Sequence, residues 1–418
     1  MNATEILQSS FVTVPALRIE EHGDDVLVSN TAVGTKATFS REILAIIAFF
    51  ETPQPLSQWL KRPGACRETL VRAVTLALIS DVNRLVGPAK DSIGQNCSLS
   101  GFLKDENAGT IALFGAPVDI AATGRGGARG GPGEIRRHFR APFWGGAQEG
   151  GYTSGTAGHA GPEQVYMDFE TRRQYSAPVP TVRDIGDVVA QPGEAISTYG
   201  PRIGVVVEQI LEQGAIPAML GGDHSCTAFA IQPHLKRNKA LGIIHFDAHH
   251  DLWAPPAPQY SYVTHANALY GALQSDRVVK LLQLGLRVFD VAFAAQLQDD
   301  SRLEYFSAYE LQNMSPEKVF AGLPDDIPYY LSFDIDCIDP LVAPETGTPL
   351  PGGLSYYQAL GLVDYAARNF NLVGWDIVEV AQGQGLSNGA ALCAARLARQ
   401  LMLGTMPFEP LTKYARPL

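Results

Sequence analysis

The stretch Leu241-Gly242-Ile243-Ile244-His245-Phe246-Asp247-Ala248-His249-His250-Asp251 constrains this chain more than any other, because an apolar run ends abruptly in two carboxylates and three imidazoles. In an extended strand successive side chains alternate faces, so Asp247, His249 and Asp251 point one way while Ala248 and His250 point the other. A buried strand end this polar is expensive unless a divalent cation neutralises it. The plainer alternative is a polar turn whose groups satisfy one another.

Two further segments follow the same design. Leu220-Gly221-Gly222-Asp223-His224-Ser225 places an imidazole just past the apolar piece Ile216-Pro217-Ala218-Met219. The run Tyr329-Tyr330-Leu331-Ser332-Phe333 leads into Asp334 and Asp336, again two apart and on one face, while Asp339 precedes Pro340 and shapes a turn. His224, Asp247, His249, Asp251, Asp334 and Asp336 make a hard-leaning oxygen and nitrogen donor set. It suits a pair of Mn²⁺ ions, and Ni²⁺ would accept the same ligands. Six side chains for two ions require bridging carboxylates and leave positions for water, as a hydrolytic two-metal site needs.

With these motifs the chain resembles the ureohydrolase superfamily, that is arginase, agmatinase and their relatives, over about residues 110 to 408. The matching pieces are Gly222-Asp223-His224-Ser225, Asp247-Ala248-His249-His250-Asp251 and Ser332-Phe333-Asp334-Ile335-Asp336-Cys337-Ile338-Asp339-Pro340. Glu345-Thr346-Gly347-Thr348-Pro349 with Pro351-Gly352-Gly353-Leu354, and Asp376-Ile377-Val378-Glu379-Val380, complete the match. The resemblance implies one Mn²⁺ on His224, Asp247, Asp251 and Asp334, and a second on His249, Asp247, Asp334 and Asp336. Asp247 and Asp334 would then bridge, with a hydroxide between the ions as nucleophile and Asp251 holding it. It also implies that His265 delivers a proton to the leaving amine, that Glu379 pairs with the guanidinium, that Thr348 touches the guanidinium side, and that the chain assembles as a trimer or hexamer. Two departures bear on substrate. Trp253, Pro255, Pro256 and Pro258 stand where arginases carry amide and hydroxyl groups that grip free arginine, and Ala381-Gln382-Gly383-Gln384 replaces the family's usual Asn-Pro.

From Ile111 the pattern alternates strand, loop and helix. This predicts an α/β fold over 111–418, a mainly parallel sheet covered on both faces with ligands gathering beyond the carboxyl ends of the strands, and the resemblance implies that it is the three-layer arginase-like fold. The glycine-rich loop Gly126 to Pro132 fits no phosphate-binding spacing, and the resemblance implies that it supports the scaffold and borders the site. A helix is expected over 205–211. The segment 141–183 is an insertion whose glycine-rich part, 144–161, predicts an irregular loop or lid, with His159 idle in it. The segment from Gly87 to Thr110 is polar, with Pro, Gly and Ser, and predicts a linker, placed over residues 96–110. Residues 1–95 predict a small α+β winged-helix-like module: a hairpin of 16–20 with 25–29, a helix capped by Ser40 with Ile43, Leu44, Ile47 and Phe50 on one face, and a second helical segment from Thr69 to Leu85. Such a module resembles the peptide-recognition elements of enzymes that modify ribosomally made peptides, which bind a leader peptide by strand addition. An oligomerisation or packing extension is the alternative.

The 418 residues are 46% hydrophobic and carry a formal charge of −11 with no Lys/Arg block, which argues against nucleic acid. The absence of a membrane-length apolar run or signal pattern predicts a cytoplasmic protein, and Cys66, Cys97, Cys226, Cys337 and Cys393 are expected to be reduced thiols. The leading expectation is a binuclear manganese hydrolase that converts a guanidino group to an amine and urea on peptidyl arginine, giving ornithine. A small free guanidino compound such as agmatine is the second reading, and a non-catalytic binding protein on the same scaffold the third.

Overall fold

The computed structural model describes residues 10–13, 17–30, 35–50, 54–76, 78–81, 85–89, 92–93, 95–139, 165–168, 170–176, 181–190, 193–254, 263–288, 291, 293, 295, 299–383, 387–404 and 406–410. Eight strands form the centre: β1 (Ile111–Gly115), β2 (Val182–Val188), β3 (Ile216–Leu220), β4 (Leu241–Phe246), β5 (Val278–Leu286), β6 (Leu303–Ser307), β7 (Pro328–Asp334) and β8 (Asn371–Val378). They lie side by side in the order β6-β5-β4-β7-β8-β3-β1-β2, every neighbouring pair parallel.

Alternation along these strands builds the three layers. Leu113, Leu220, Phe246, Phe333 and Ile377 pack on one face with helices α1 (Gly131–Phe139), α4 (Tyr356–Asn369) and α5 (Gly389–Leu403). Phe114, Met219, Ile243, Tyr330 and Val378 face the other way, against α2 (Ile196–Glu212) and α3 (Ser225–Ala230). Strands buried on both faces read as continuous apolar runs, which is what a sheet covered by helices on both sides demands.

Register places the chemistry. Phe246 pairs with Phe333, Phe333 with Ile377, and Ile377 with Leu220, so a single apolar row crosses four adjacent strands. All four side chains are fully buried, each contributing about 1.5–3 kcal/mol of transfer free energy. One residue beyond that row the chain becomes Asp247, Asp334, Val378 and Gly221. The motifs therefore meet at one edge of the molecule.

Residues 96–110 depart from the linker expectation. Gln95–Asn96 pairs parallel with β2 and Val86–Gly87 pairs antiparallel with it, while Leu99 and Phe102 of the short helix Leu99–Phe102 are buried in the core behind α2. Polar composition misled here because only two large apolar anchors are needed to pin so short a segment.

Nearer the N-terminus the expected hairpin forms as Leu17–His22 with Asp25–Asn30, closed at Gly23 (φ 65°), and Thr35–Ser40 adds a third antiparallel strand. Three short helices follow, Glu42–Phe49, Leu56–Leu60 and Arg67–Thr75, and Val26, Val28, Phe39, Ile43, Ile46, Phe50, Trp59 and Leu70 share a core. Ser40 does not cap the first helix: it ends the strand, and Arg41 takes the N-cap position without a side-chain bond. The segment 69–85 is not one helix either. It stops at Thr75, and Ile79–Asp81 instead pairs with Phe11–Thr13, so backbone pairing with a distant strand overrides the helical spacing.

The helix expected over 205–211 is the last part of the 17-residue α2. Of the insertion, 140–164 and with it His159 lie outside the described residues. Beyond them the chain is regular: Val165–Asp168 pairs antiparallel with Arg173–Ser176, which also pairs with Glu409–Pro410. Arg173 anchors this hairpin by donating to Asp364 of α4 (Nη2 to Oδ2, 2.7 Å).

Candidate metal and active site

His224, Asp247, His249, Asp251, Asp334 and Asp336 come together at the carboxyl ends of β3, β4 and β7. Nδ1 of His224 lies 3.2 Å from Asp247 Oδ2, 2.9 Å from Asp251 Oδ2 and 3.3 Å from Asp334 Oδ2. Its other nitrogen, Nε2, meets Ser332 Oγ at 2.9 Å, and Ser332 donates to the buried Asp376 at 2.7 Å. Since the serine proton goes to the carboxylate, Oγ accepts from Nε2–H, which leaves the Nδ1 lone pair aimed at the three carboxylates. That is the tautomer a metal ligand needs.

A second nest adjoins the first. Nδ1 of His249 lies 3.3 Å from Asp247 Oδ1 and 3.1 Å from Asp336 Oδ2. Asp247 thus turns one oxygen to each nest, as a bridging carboxylate must. Asp334 is different: Oδ2 faces His224, while Oδ1 accepts the backbone N–H of Asp336 at 2.8 Å. The hydroxyl of Thr348, expected on the guanidinium side, donates to Asp336 Oδ2 at 3.2 Å and so braces a carboxylate of the second nest.

The local field is strongly negative. Burial would depress the His224 imidazole, yet Asp247, Asp251 and Asp334 hold it well above its ordinary range. His249 is likewise pushed up to about 12 by Asp247 and Asp336 against the effect of burial. Burial, then Asp336 and Asp247, raise Asp334. Imidazoles held this basic mark a site that selects cations. The donor set therefore fits two divalent ions: His224, Asp247, Asp251 and Asp334 would hold one, and His249, Asp247 and Asp336 the other.

Glu379 and His265 face the same region from β8 and from the 3₁₀ turn His265–Asn267. Glu379 Oε1 accepts the backbone N–H of His224 at 2.9 Å and lies 3.4 Å from His265 Nδ1. Its Oε2 is buried and has no hydrogen-bond partner among the described residues. Gly347 sits against this oxygen, where a Cβ would approach it to 3.1 Å. Glu379 (φ 61°) and Asp251 (φ 49°) both hold left-handed backbone, a strain of about 1–2 kcal/mol each for residues other than glycine. Strained turns at strand ends aim both carboxylates inward.

Several contributors escaped the sequence reading. His245, on the ligand face by the same alternation, meets Asp247 Oδ2 through Nε2 at 3.0 Å and accepts from Gln283 through Nδ1 at 2.9 Å. Gln283 Nε2 also donates to the carbonyl of His250, which can only accept. Asp223, held at about 6 chiefly by burial and secondarily by Glu379, accepts from Ala121 N and Ser225 N. The two-residue alternation that groups Asp247 with His249 was the available signal for His245; nothing in the sequence joined Ser332 to Asp376. His250 turns away as expected and stacks on Phe293 at 4.3 Å between ring centroids. Cys226 and Cys337 are buried thiols, raised mainly by burial. No described helix is long and apolar enough to cross a membrane.

Comparison with known proteins points to one family. Agmatinase of Cronobacter sakazakii is 30% identical over 295 residues, 69% of this chain and 85% of that protein. Agmatinase of Escherichia coli (strain SE11) is 31% identical over 296 residues, with the same two coverages. The crystal structure of a hypothetical agmatinase from Burkholderia thailandensis matches with a TM-score of 0.56 and 29% identity, covering 72% of this chain and 87% of that one. Proclavaminate amidino hydrolase from Streptomyces clavuligerus shares the fold, with a TM-score of 0.59 at 22% identity over 77% of this chain and 98% of its own. The Arginase family model matches residues 109–404, and the chain belongs to that family.

Proposed function

We propose that this arginase-family hydrolase cleaves the guanidino group of an arginine side chain presented in a peptide, releasing urea and leaving ornithine, with two Mn²⁺ ions bound. The observation that carries the guanidino reading is the orphaned Oε2 of Glu379. A buried carboxylate oxygen without a donor costs several kcal/mol, and a guanidinium, a planar cation with paired N–H groups, is the partner that satisfies it best.

His224, Asp247, Asp251, Asp334, His249 and Asp336 would hold the ions, which supply a water acidic enough to attack near neutral pH. Glu379 orients the guanidinium so that its carbon faces that water. Asp251 accepts a hydrogen bond from the attacking water. Nδ1 of His265, beside Glu379, delivers a proton to the departing amine as the carbon–nitrogen bond breaks.

Three features support the peptide. The Leu17–His22 strand lies at an edge of its sheet, where an added strand can pair. Trp253 is 53% exposed two residues after Asp251, and the sequence 252–258 lacks the amide and hydroxyl groups of a pocket for free arginine. The names of the similar enzymes favour a second reading, agmatine. Urea release by the Mn²⁺-loaded protein from agmatine, arginine, 4-guanidinobutyrate and arginine peptides with and without a leader tests both, with Asp334→Asn as the blank. Turnover confined to peptides supports the first; turnover confined to a small guanidine overturns it and gives the N-terminal module a packing role.

A further inference from the structure

His265 is gripped from both ends of its ring. Nδ1 faces Glu379, while Nε2 meets two groups of Thr123: the backbone N–H at 3.0 Å and Oγ1 at 2.5 Å. The segment carrying Thr123 is itself tied to the site. Ala121 donates its N–H to Asp223 and accepts the N–H of His265, and Arg125 donates to the carbonyl of Gly347.

The two Thr123 groups are not equivalent. A backbone N–H can only donate, so alone it requires a lone pair on Nε2 and a neutral ring protonated at Nδ1. A hydroxyl can donate to that lone pair or accept from Nε2–H. A neutral imidazole is a very poor acid, whereas an imidazolium transfers its Nδ1 proton readily and keeps the one on Nε2. Among the described residues, only the Thr123 hydroxyl meets Nε2 and can accept from it.

We propose that Thr123 is a positioning residue for the proton-transfer step: its hydroxyl lets His265 carry two protons and turn the Nδ1 proton toward the substrate. The step balances on the ring. The Nδ1 proton moves to the nitrogen of the departing amine, the Nε2 proton stays on His265 against Thr123 Oγ1, and the ring ends neutral. Thr123 is exposed and the family motifs quoted above do not include it. This inference rests on the reading of His265 as the proton donor but not on which guanidino compound is the substrate.

The test is steady-state kinetics of the Mn²⁺-loaded protein on whichever guanidino substrate it turns over, comparing Thr123→Val, Thr123→Ser and His265→Asn. Thr123→Val keeps the side-chain shape and the backbone N–H but removes the hydroxyl. Expected is a fall in kcat of about 10–100-fold, short of the full, roughly 10²–10⁴-fold effect that general acid catalysis contributes, with KM changed less than about twofold, and recovery to near wild type in Thr123→Ser. An unchanged kcat in Thr123→Val, or a change confined to KM, overturns the proposal. Equal losses in the valine and serine variants do so too, because packing would then be the role. His265→Asn separates the two levels: if it retains full kcat the His265 reading itself fails, and if it collapses while Thr123→Val does not, only Thr123 loses its part.

Discussion

Two clusters of buried charge lie on the same sheet and behave oppositely. At β2, Arg136 is 1% exposed and donates to Asp184 through Nε (2.8 Å) and Nη2 (2.9 Å) and to Asp187 through Nη1 (2.5 Å). The same two oxygens of Asp184 also accept the backbone N–H groups of Ile93 (Oδ2) and Gly186 (Oδ1). Beyond β3, β4, β7 and β8, carboxylates of Asp223, Asp247, Asp251, Asp334, Asp336 and Glu379 crowd together with imidazoles, and among the described residues no Arg or Lys pairs with these carboxylates. One cluster closes its own hydrogen bonds; the other leaves His224 Nδ1 and Glu379 Oε2 unmatched. Charge that is balanced internally serves the fold, whereas charge left unbalanced marks what the protein binds.

The largest effect should come from the unbalanced cluster. Asp247→Asn removes the one carboxylate that faces both nests, and loss of several kcal/mol of metal-centred stabilisation should lower urea release by a factor on the order of a thousand. Metal content and the urea-release rate, measured together, check it; full metal content with full rate would contradict the bridging role. Arg136→Met should do the reverse. It strands Asp184 and Asp187, should cost about 3–5 kcal/mol in denaturant unfolding, and should leave the rate per folded molecule near wild type. If it instead abolished activity in fully folded protein, the distinction between the clusters would collapse.

Glu379→Gln should be intermediate. The amide keeps a hydrogen-bond acceptor but loses the charge, so kcat/KM for a guanidino substrate should fall about 10–150-fold, the worth of a charge-assisted bond, with little change in bound metal. A third, partly buried cluster sharpens the contrast at small amplitude. Asp364 accepts from Arg173 and Arg368, which hold its carboxyl below the ordinary range although burial opposes them. Because its folded pKa is depressed, its contribution is present above the unfolded value near 3.8 and fades as pH falls through the folded one. Asp364→Asn should therefore cost about 1 kcal/mol near neutral pH, and unfolding curves of the two proteins should converge below about pH 3.8.

Strand-end chemistry was readable from the sequence because it is local and periodic. The spacing of Asp247, His249 and Asp251, and of Asp334 and Asp336, reports a shared face before any tertiary contact is known. What stayed hidden depends on register between strands or on loops meeting through space. Ser332 and Asp376 are 44 positions apart and touch only because β7 and β8 are neighbours. Thr123 meets His265 across 142 positions, and no short-range pattern carries that. In the N-terminal region, pairing of Ile79–Asp81 with Phe11–Thr13 broke a spacing that read as helix. The packed segment 96–102 was missed because two anchors, Leu99 and Phe102, are too few to show as periodicity.

The row Phe246, Phe333, Ile377 and Leu220 acts as a ruler. β4 and β7 deliver Asp247 and Asp334 one step past a common mark, while Glu379 and His224 follow two and four steps past it, so adding or deleting a single residue inside β4 or β7 would shift that delivery by about 3.3 Å and turn the side chain to the opposite layer. Length changes elsewhere meet no such gauge. The chain can therefore carry an extra hundred residues ahead of β1, and a long excursion before β2, without re-measuring the place where its ligands meet.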